Sequence, residues 1–335
     1  MATFVRVQEI EHPIAAEGQF TLRTTSADVQ MRGRETDVAR VRIEFELRAG
    51  SDAEADRAFE GLRYGVHAAE GVLEVTDQKT PDRGLGAISR ILGVSGIKVE
   101  TRVVADIPER ATVTYSGVSA DLIATGTLGT QEYRTVSGDI VLSDAGGRLR
   151  IGGVSGDVSL RAETPVWLQA NTVSGDLSAI APRFEQCRVV TVSGDVDIDG
   201  DLAGGSEHRV ETVSGDLSLG INGGLTLEVR GLSSDVEVNL AHRSEGSRDR
   251  RRYIVGDGAA GLLFSSMSGD VTVSTARRGG SATLPPPPPA PVAPPPPPRP
   301  TLGEEAQLEV LRALERGEID VEEATRRLAD GGGNG

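Results

Sequence analysis

The sequence predicts an all-β chain: a β-solenoid of coils about 18–21 residues long with an irregular N-terminal cap, followed by a Pro-rich linker and a small C-terminal helical hairpin. Three observations carry this prediction. A motif of apolar residue, Ser, Gly, Asp and apolar residue recurs; its copies are almost evenly spaced; and aligning them produces columns of like residues. Clear copies are Val136-Ser137-Gly138-Asp139-Ile140 and those centred on Asp157, Asp176, Asp195 and Asp216. Degenerate copies stand at Asp121 and Asp235, and a late one at Asp270. From Asp121 to Asp235 the intervals are 18, 18, 19, 19, 21 and 19 residues.

The columns define the local structure. One residue after each Asp stand Leu122, Ile140, Val158, Leu177, Val196, Leu217, Val236 and Val271, with a second apolar column two residues further on and mostly polar residues between. That alternation is a strand with one buried face and one wet face. Six residues before the Asp lies another apolar column, and four before it only Gly, Thr or Ser, so each period holds a second strand. A two-strand unit cannot bury its apolar side alone. Stacking coils about 4.8 Å apart, like residue over like, solves the problem. The period is too short for a propeller blade and contains no helical segment.

The corner has its own chemistry. Gly138, Gly156, Gly175, Gly194, Gly215 and Gly269 supply backbone conformations closed to other residues, while Ser and Asp bond nearby turn amides. We therefore read Asp121, Asp139, Asp157, Asp176, Asp195, Asp216, Asp235 and Asp270 as structural turn residues. Stacked carboxylates repel, so such a ladder needs amide donors or cations. Calcium is the rival reading, but one Asp per coil offers a hard cation too few oxygens.

The remaining segments come in order. Residues 1–115 read as a looser N-terminal β region capping the solenoid, with a worn motif copy from Leu22 to Met31. In it, Val38–Leu47 and Ile97–Ala105 alternate as strands and Ser51–Leu62 reads as a short amphipathic helix capped by Ser51 or Asp52. Residues 116–276 are the regular repeats, the copy at Asp270 closing the domain near Ala276. The 35-residue gap from Asp235 to Asp270 leaves room for an insertion or an unmarked coil, and its Arg248-Asp249-Arg250-Arg251-Arg252 run reads as a solvated loop. Residues 277–300 form the linker, with twelve Pro between 285 and 300, and act as a polyproline spacer. Residues 301–330 carry two capping boxes and the apolar positions Leu308, Leu311, Leu314, Ile319 and Leu328, a helical hairpin too small to be stable alone and hence a partner-binding element. Residues 331–335 form a disordered tail.

Composition narrows the function. A net charge of −15 argues against general nucleic-acid binding. One cysteine, Cys187, excludes an internal disulfide, and His12, His67, His208 and His242 show no metal-ligand spacing. No cofactor or metal is expected. The N-terminus lacks a signal peptide's apolar run and no transmembrane stretch is evident, which predicts a cytoplasmic protein, associated with the envelope only through a partner or unconventional export.

The repeated Val-Ser-Gly-Asp copies, the looser N-terminal strands and the terminal Ser268-Gly269-Asp270-Val271 resemble the bacterial putative-adhesin family, domain of unknown function 4097, across about residues 18–276. The tail, with Glu309-Val310-Leu311, Gly317-Glu318-Ile319 and Val321-Glu322-Glu323-Ala324, is similar to short SHOCT-like helical modules. The resemblance implies a β-strand repeat fold, a loose link to cell-envelope functions and no catalytic residues.

The expected function is a noncatalytic scaffold whose tethered hairpin recruits a protein partner or self-associates. The alternative is a regulatory sensor of envelope stress acting through the tail. A polysaccharide-active enzyme is the least favoured reading: Trp167 is the only tryptophan available as a sugar platform, and no nucleophile elbow, phosphate loop or dinucleotide fingerprint is present.

Overall fold

The computed structural model describes residues 2–77, 99–247 and 250–277. The chain divides into units Met1–Arg278 and Gly279–Gly335, and all the described strands belong to the first. The linker, the hairpin with Leu308, Leu311, Leu314, Ile319 and Leu328, and the last five residues lie outside the described residues.

The N-terminal region contributes β1 (Ala2–Pro13), β2 (Gln19–Arg23), β3 (Asp28–Arg34), β4 (Val38–Ala49), α1 (Asp52–Phe59), β5 (Tyr64–Ala69), β6 (Val72–Asp77) and β7 (Val99–Pro108). The central repeats come next as β8 (Thr112–Ser116), β9 (Leu122–Thr125), β10 (Thr130–Arg134), β11 (Ile140–Gly152), β12 (Val158–Asn171), β13 (Leu177–Val190), β14 (Val196–Leu202), β15 (Glu207–Glu211) and β16 (Leu217–Ile221). The chain then forms β17 (Leu225–Ser233), β18 (Val236–Val238), β19 (His242–Ser247), β20 (Arg250–Val255), β21 (Ala260–Ser268) and β22 (Val271–Thr275).

These strands build two parallel stacks with a common core. Like residues stand over like, as the columns require. On one stack Leu22, Tyr115, Tyr133, Ile151, Ala170, Val189, Val210, Phe264 and Val229 are consecutive register partners. On the other the series is Val29, Leu122, Ile140, Val158, Leu177, Val196, Leu217, Val271 and Val236. All of them belong to one hydrophobic cluster except Val236, which packs against its edge. Strands β11, β12 and β13 are long because each runs from the second stack of one coil into the first stack of the next, bending through register shifts at Leu142–Gly147, Arg161–Trp167 and Ile180–Arg183. The core accepts polar groups where they are paired: Gln131 donates to the carbonyls of Thr127 (2.9 Å) and Gly146 (2.7 Å) and accepts from the Tyr133 hydroxyl at 2.9 Å.

Spatial order departs from chain order at both ends. The coil of β2 and β3 lies between that of β6 and β7 and that of β8 and β9. At the other end β21 and β22 slide between β15 and β16 on one side and β17 and β18 on the other. The copy at Asp270 closes the domain along the chain, near Ala276, but in space it fills the penultimate layer. The gap between Asp235 and Asp270 contains the antiparallel hairpin β19–β20, which covers β17. Arg250, Arg251 and Arg252 lie on β20 rather than in a loop, with the Arg251 guanidinium donating to the Ser234 carbonyl.

Antiparallel strands also cover the N-terminal end, where β4 pairs with β7 and β1, and β5 with β6. Covering an edge in this way removes a template for strand addition. Helix α1 begins where the sequence predicts. Ser51 Oγ accepts from the Glu54 amide at 3.3 Å, and the Glu54 carboxylate accepts from the Gly50 amide at 2.8 Å. Its buried face is Ala55 and Phe59, and Arg6 lies over the Phe59 ring.

A Cβ on Gly175 would stand 2.2 Å from the Gly156 carbonyl oxygen, at φ 120°, whereas one on Gly261 meets nothing within 4 Å. Gly175→Ala is expected to lower stability by about 1–3 kcal/mol through overpacking. Gly261→Ala should stay within about 0.5 kcal/mol of wild type in the same urea unfolding measurement.

Candidate functional site

The corner is built from backbone outward. Successive Ser residues, from Ser119 through Ser137, Ser155, Ser174, Ser193 and Ser214 to Ser268, form parallel bridges. The next residue is Gly because the coils touch there: a Cβ on Gly138, Gly156, Gly194, Gly215 or Gly269 would lie 2.1–2.4 Å from a carbonyl oxygen of the coil beneath. The Asp then links layers. Its backbone N–H donates to the carboxylate of the preceding Asp: Asp139 to Asp121, Asp157 to Asp139 and Asp176 to Asp157 at 2.9 Å, Asp195 to Asp176 at 2.8 Å, and Asp216 to Asp195 at 2.9 Å. The series continues in space rather than in sequence, from Asp270 to Asp216 and from Asp235 to Asp270, each at 2.8 Å. Each carboxylate except that of Asp235, at the end of the series, thus receives the amide donor that a charged ladder needs. Among the described residues, no group of three or more His, Cys, Asp or Glu is placed to hold a metal ion.

Seven of the residues that open the motif are exposed. Val118, Val136, Val154, Val173, Val192 and Val213 are 43–48% accessible and Met267 57%, so the corner presents an apolar ridge beside the Ser and Asp rows. The polar face expected of the solenoid is in fact striped. The motif gives the residue type; only the corner geometry turns it outward.

The first stack carries a second surface. Its outward residues read Thr130, Arg148, Trp167 and Gln186 in one row, and Glu132, Arg150, Gln169, Arg188 and Arg209 in the next. Trp167 is 41% exposed, with the Arg148 guanidinium 5.2 Å from its ring centroid. Sequence reasoning noted Trp167 only as too solitary for a sugar cleft; its basic neighbours come from adjacent coils and are invisible without the register.

Two reactive residues, Cys187 and His208, are retired into the core. Cys187 is fully buried, and burial pushes its thiol up to about 12. The Cys187 amide donates to Nδ1 of buried His208 at 3.1 Å, so the ring proton sits on Nε2, which donates to the Ala203 carbonyl at 2.9 Å. Burial holds the His208 pKa below its usual value, against the opposing pull of the Ala203 bond and Glu185.

This geometry defines a class: a wound β-sheet whose repeated polar residues knit its layers together. A sequence profile described as Toastrack DUF4097 matches residues 19–274, and the chain belongs to that family. Solved structures with similarity include a putative cell adhesion protein from Clostridium sporogenes, at 12% identity and TM-score 0.24, covering 82% of this chain and 100% of that one. A putative lipid binding protein from Parabacteroides distasonis gives 11% and 0.43, covering 80% and 97%. A putative adhesin from Bacteroides fragilis gives 10% and 0.27, again covering 80% and 97%. No curated protein matches the chain.

Two measurements probe the site. Asp176→Ala removes the acceptor of the Asp195 amide and should cost about 1 kcal/mol, while Asp176→Asn, which keeps an acceptor oxygen, should cost less in the same thermal melt. A histidine with a depressed folded pKa contributes stability that is fully present above its unfolded pKa of about 6.5 and is lost as pH falls toward the folded value, because the unfolded chain takes the proton first. His208→Gln should therefore flatten the decline in Tm between about pH 7 and pH 5 relative to wild type at fixed ionic strength.

Proposed function

We propose that the protein is a noncatalytic interaction scaffold of the cell envelope or its cytoplasmic side, in which the β-solenoid presents a regular surface and the segment 301–330 recruits a protein partner or self-associates. One observation carries the reading: the polar residues that recur coil after coil are engaged with the backbone of neighbouring coils, seven of the eight Asp carboxylates holding an amide of the next layer. Groups committed in this way serve geometry. The turn residues Asp121 to Asp270 and the corner glycines are accordingly assigned to architecture, and the interacting role falls to the surfaces between them.

Among the described residues no helix is long and apolar enough to cross a membrane. Tethering the recruiting segment through a Pro-rich spacer raises the effective concentration of a second binding event.

Comparing the full chain with a chain ending at residue 300 tests the role of the tail. The full chain is expected to show a higher oligomeric state by light scattering, or to retain a defined partner in native mass spectrometry, and the shortened chain to lose it. Identical behaviour of the two would remove the tail from the reading.

A further inference from the structure

The residues that break the columns on the first stack converge on one face. Along the row Thr130, Arg148, Trp167, Gln186 the identities change at every coil, in contrast to the corner, where they repeat. A residue needed for stacking recurs; one that appears once has a different use. Trp167, the single tryptophan of the chain, stands at the middle of this face and is exposed.

Charge on the face is uneven in a useful way. Arg134 is paired with Glu132, and Arg209 with Glu211. Arg148, Arg150 and Arg188 form no ion pair among the described residues, although all three are exposed. Arg150 and Arg188 flank Gln169 in register, two coils and therefore about 10 Å apart. Beside Arg148 opens a groove of about 600 Å³, lined by Arg110, Thr112, Thr130 and Thr164, floored by Gly129 and Gly147, and bordered by Glu17.

We propose that this face binds an acidic polysaccharide, a chain of sugars bearing carboxylates, across Arg150, Trp167 and Arg188, with the threonine-lined groove taking an adjoining sugar. The assignment rests on the noncatalytic scaffold reading and names its ligand class. A guanidinium fork matches a carboxylate in bidentate geometry. A flat indole covers the C–H face of a pyranose, and tryptophan and arginine are the residues that dominate binding surfaces. The Gln169 amide and the Thr130 hydroxyl can bond sugar hydroxyls. An open face favours a polymer over a small molecule, and a single aromatic on the face is too few for the successive base stacking that nucleic acid needs.

Because Trp167 is the sole tryptophan, its fluorescence reports the face directly in the full-length protein. Titration with polygalacturonate or hyaluronate is expected to give a saturable shift or quench of emission that weakens with added salt, and neutral dextran none. Arg150→Ala with Arg188→Ala should weaken the affinity tenfold or more while leaving the thermal midpoint unchanged. No response to either acidic polymer, or equal affinity for an oligothymidine of the same charge, would overturn the assignment. New reducing ends appearing in the polymer would instead overturn the noncatalytic reading and leave the binding face standing.

Discussion

The structure depends on one hydrogen bond repeated: a backbone amide of one coil bound to the carboxylate of the coil beneath. Carboxylates at the coil spacing would otherwise repel one another across a few ångströms. Supplying each with an amide turns a row of like charges into a row of satisfied acceptors. The same bond fixes the register, since a shift of one residue would send every apolar side chain to the wrong face. In six of the eight copies the preceding residue is glycine, where a Cβ would meet a carbonyl oxygen of the coil beneath; Ala120 and Ser234 stand at the two ends of the series.

Much of this was legible in the residue order. The apolar columns flanking each Asp became register partners because a wound sheet places equivalent positions above one another. The helix at α1 followed from an amphipathic stretch opening on Ser51 or Asp52, of which the structure makes Ser51 the cap. The order of the layers at the ends was not legible. Val271 pairs equally well with Leu217 and Val236, so the motif that allows stacking cannot say which copies are neighbours. Turn chemistry expects Asp216 to bond amides of its own corner, whereas its carboxylate accepts from the Asp270 amide, 54 residues away. The outward face around Trp167 was hidden for the same reason, being assembled from single residues of successive coils.

A repeat fold separates two kinds of information within one chain. Positions that carry the winding must stay alike: the corner glycines and acids, the core columns and the small residues beneath the corner. Positions that face solvent on the long strands are free of that duty. Arg148, Trp167 and Arg188 sit among threonine, glutamine and glutamate in rows that face solvent. The corner valines belong to the first kind although they are exposed, since they recur with the winding.

The interleaving of the last strands bears on how the protein is made. A simple solenoid can be wound coil by coil as it leaves the ribosome, and its ends unravel readily. Here the coil of β17 and β18 cannot take its place until residues 260–275 have been synthesised and threaded beneath it. Assembly of that end is delayed, and in return its outermost turn is locked by a segment that arrives after it, so that release from this end requires two distant pieces of chain to come away together.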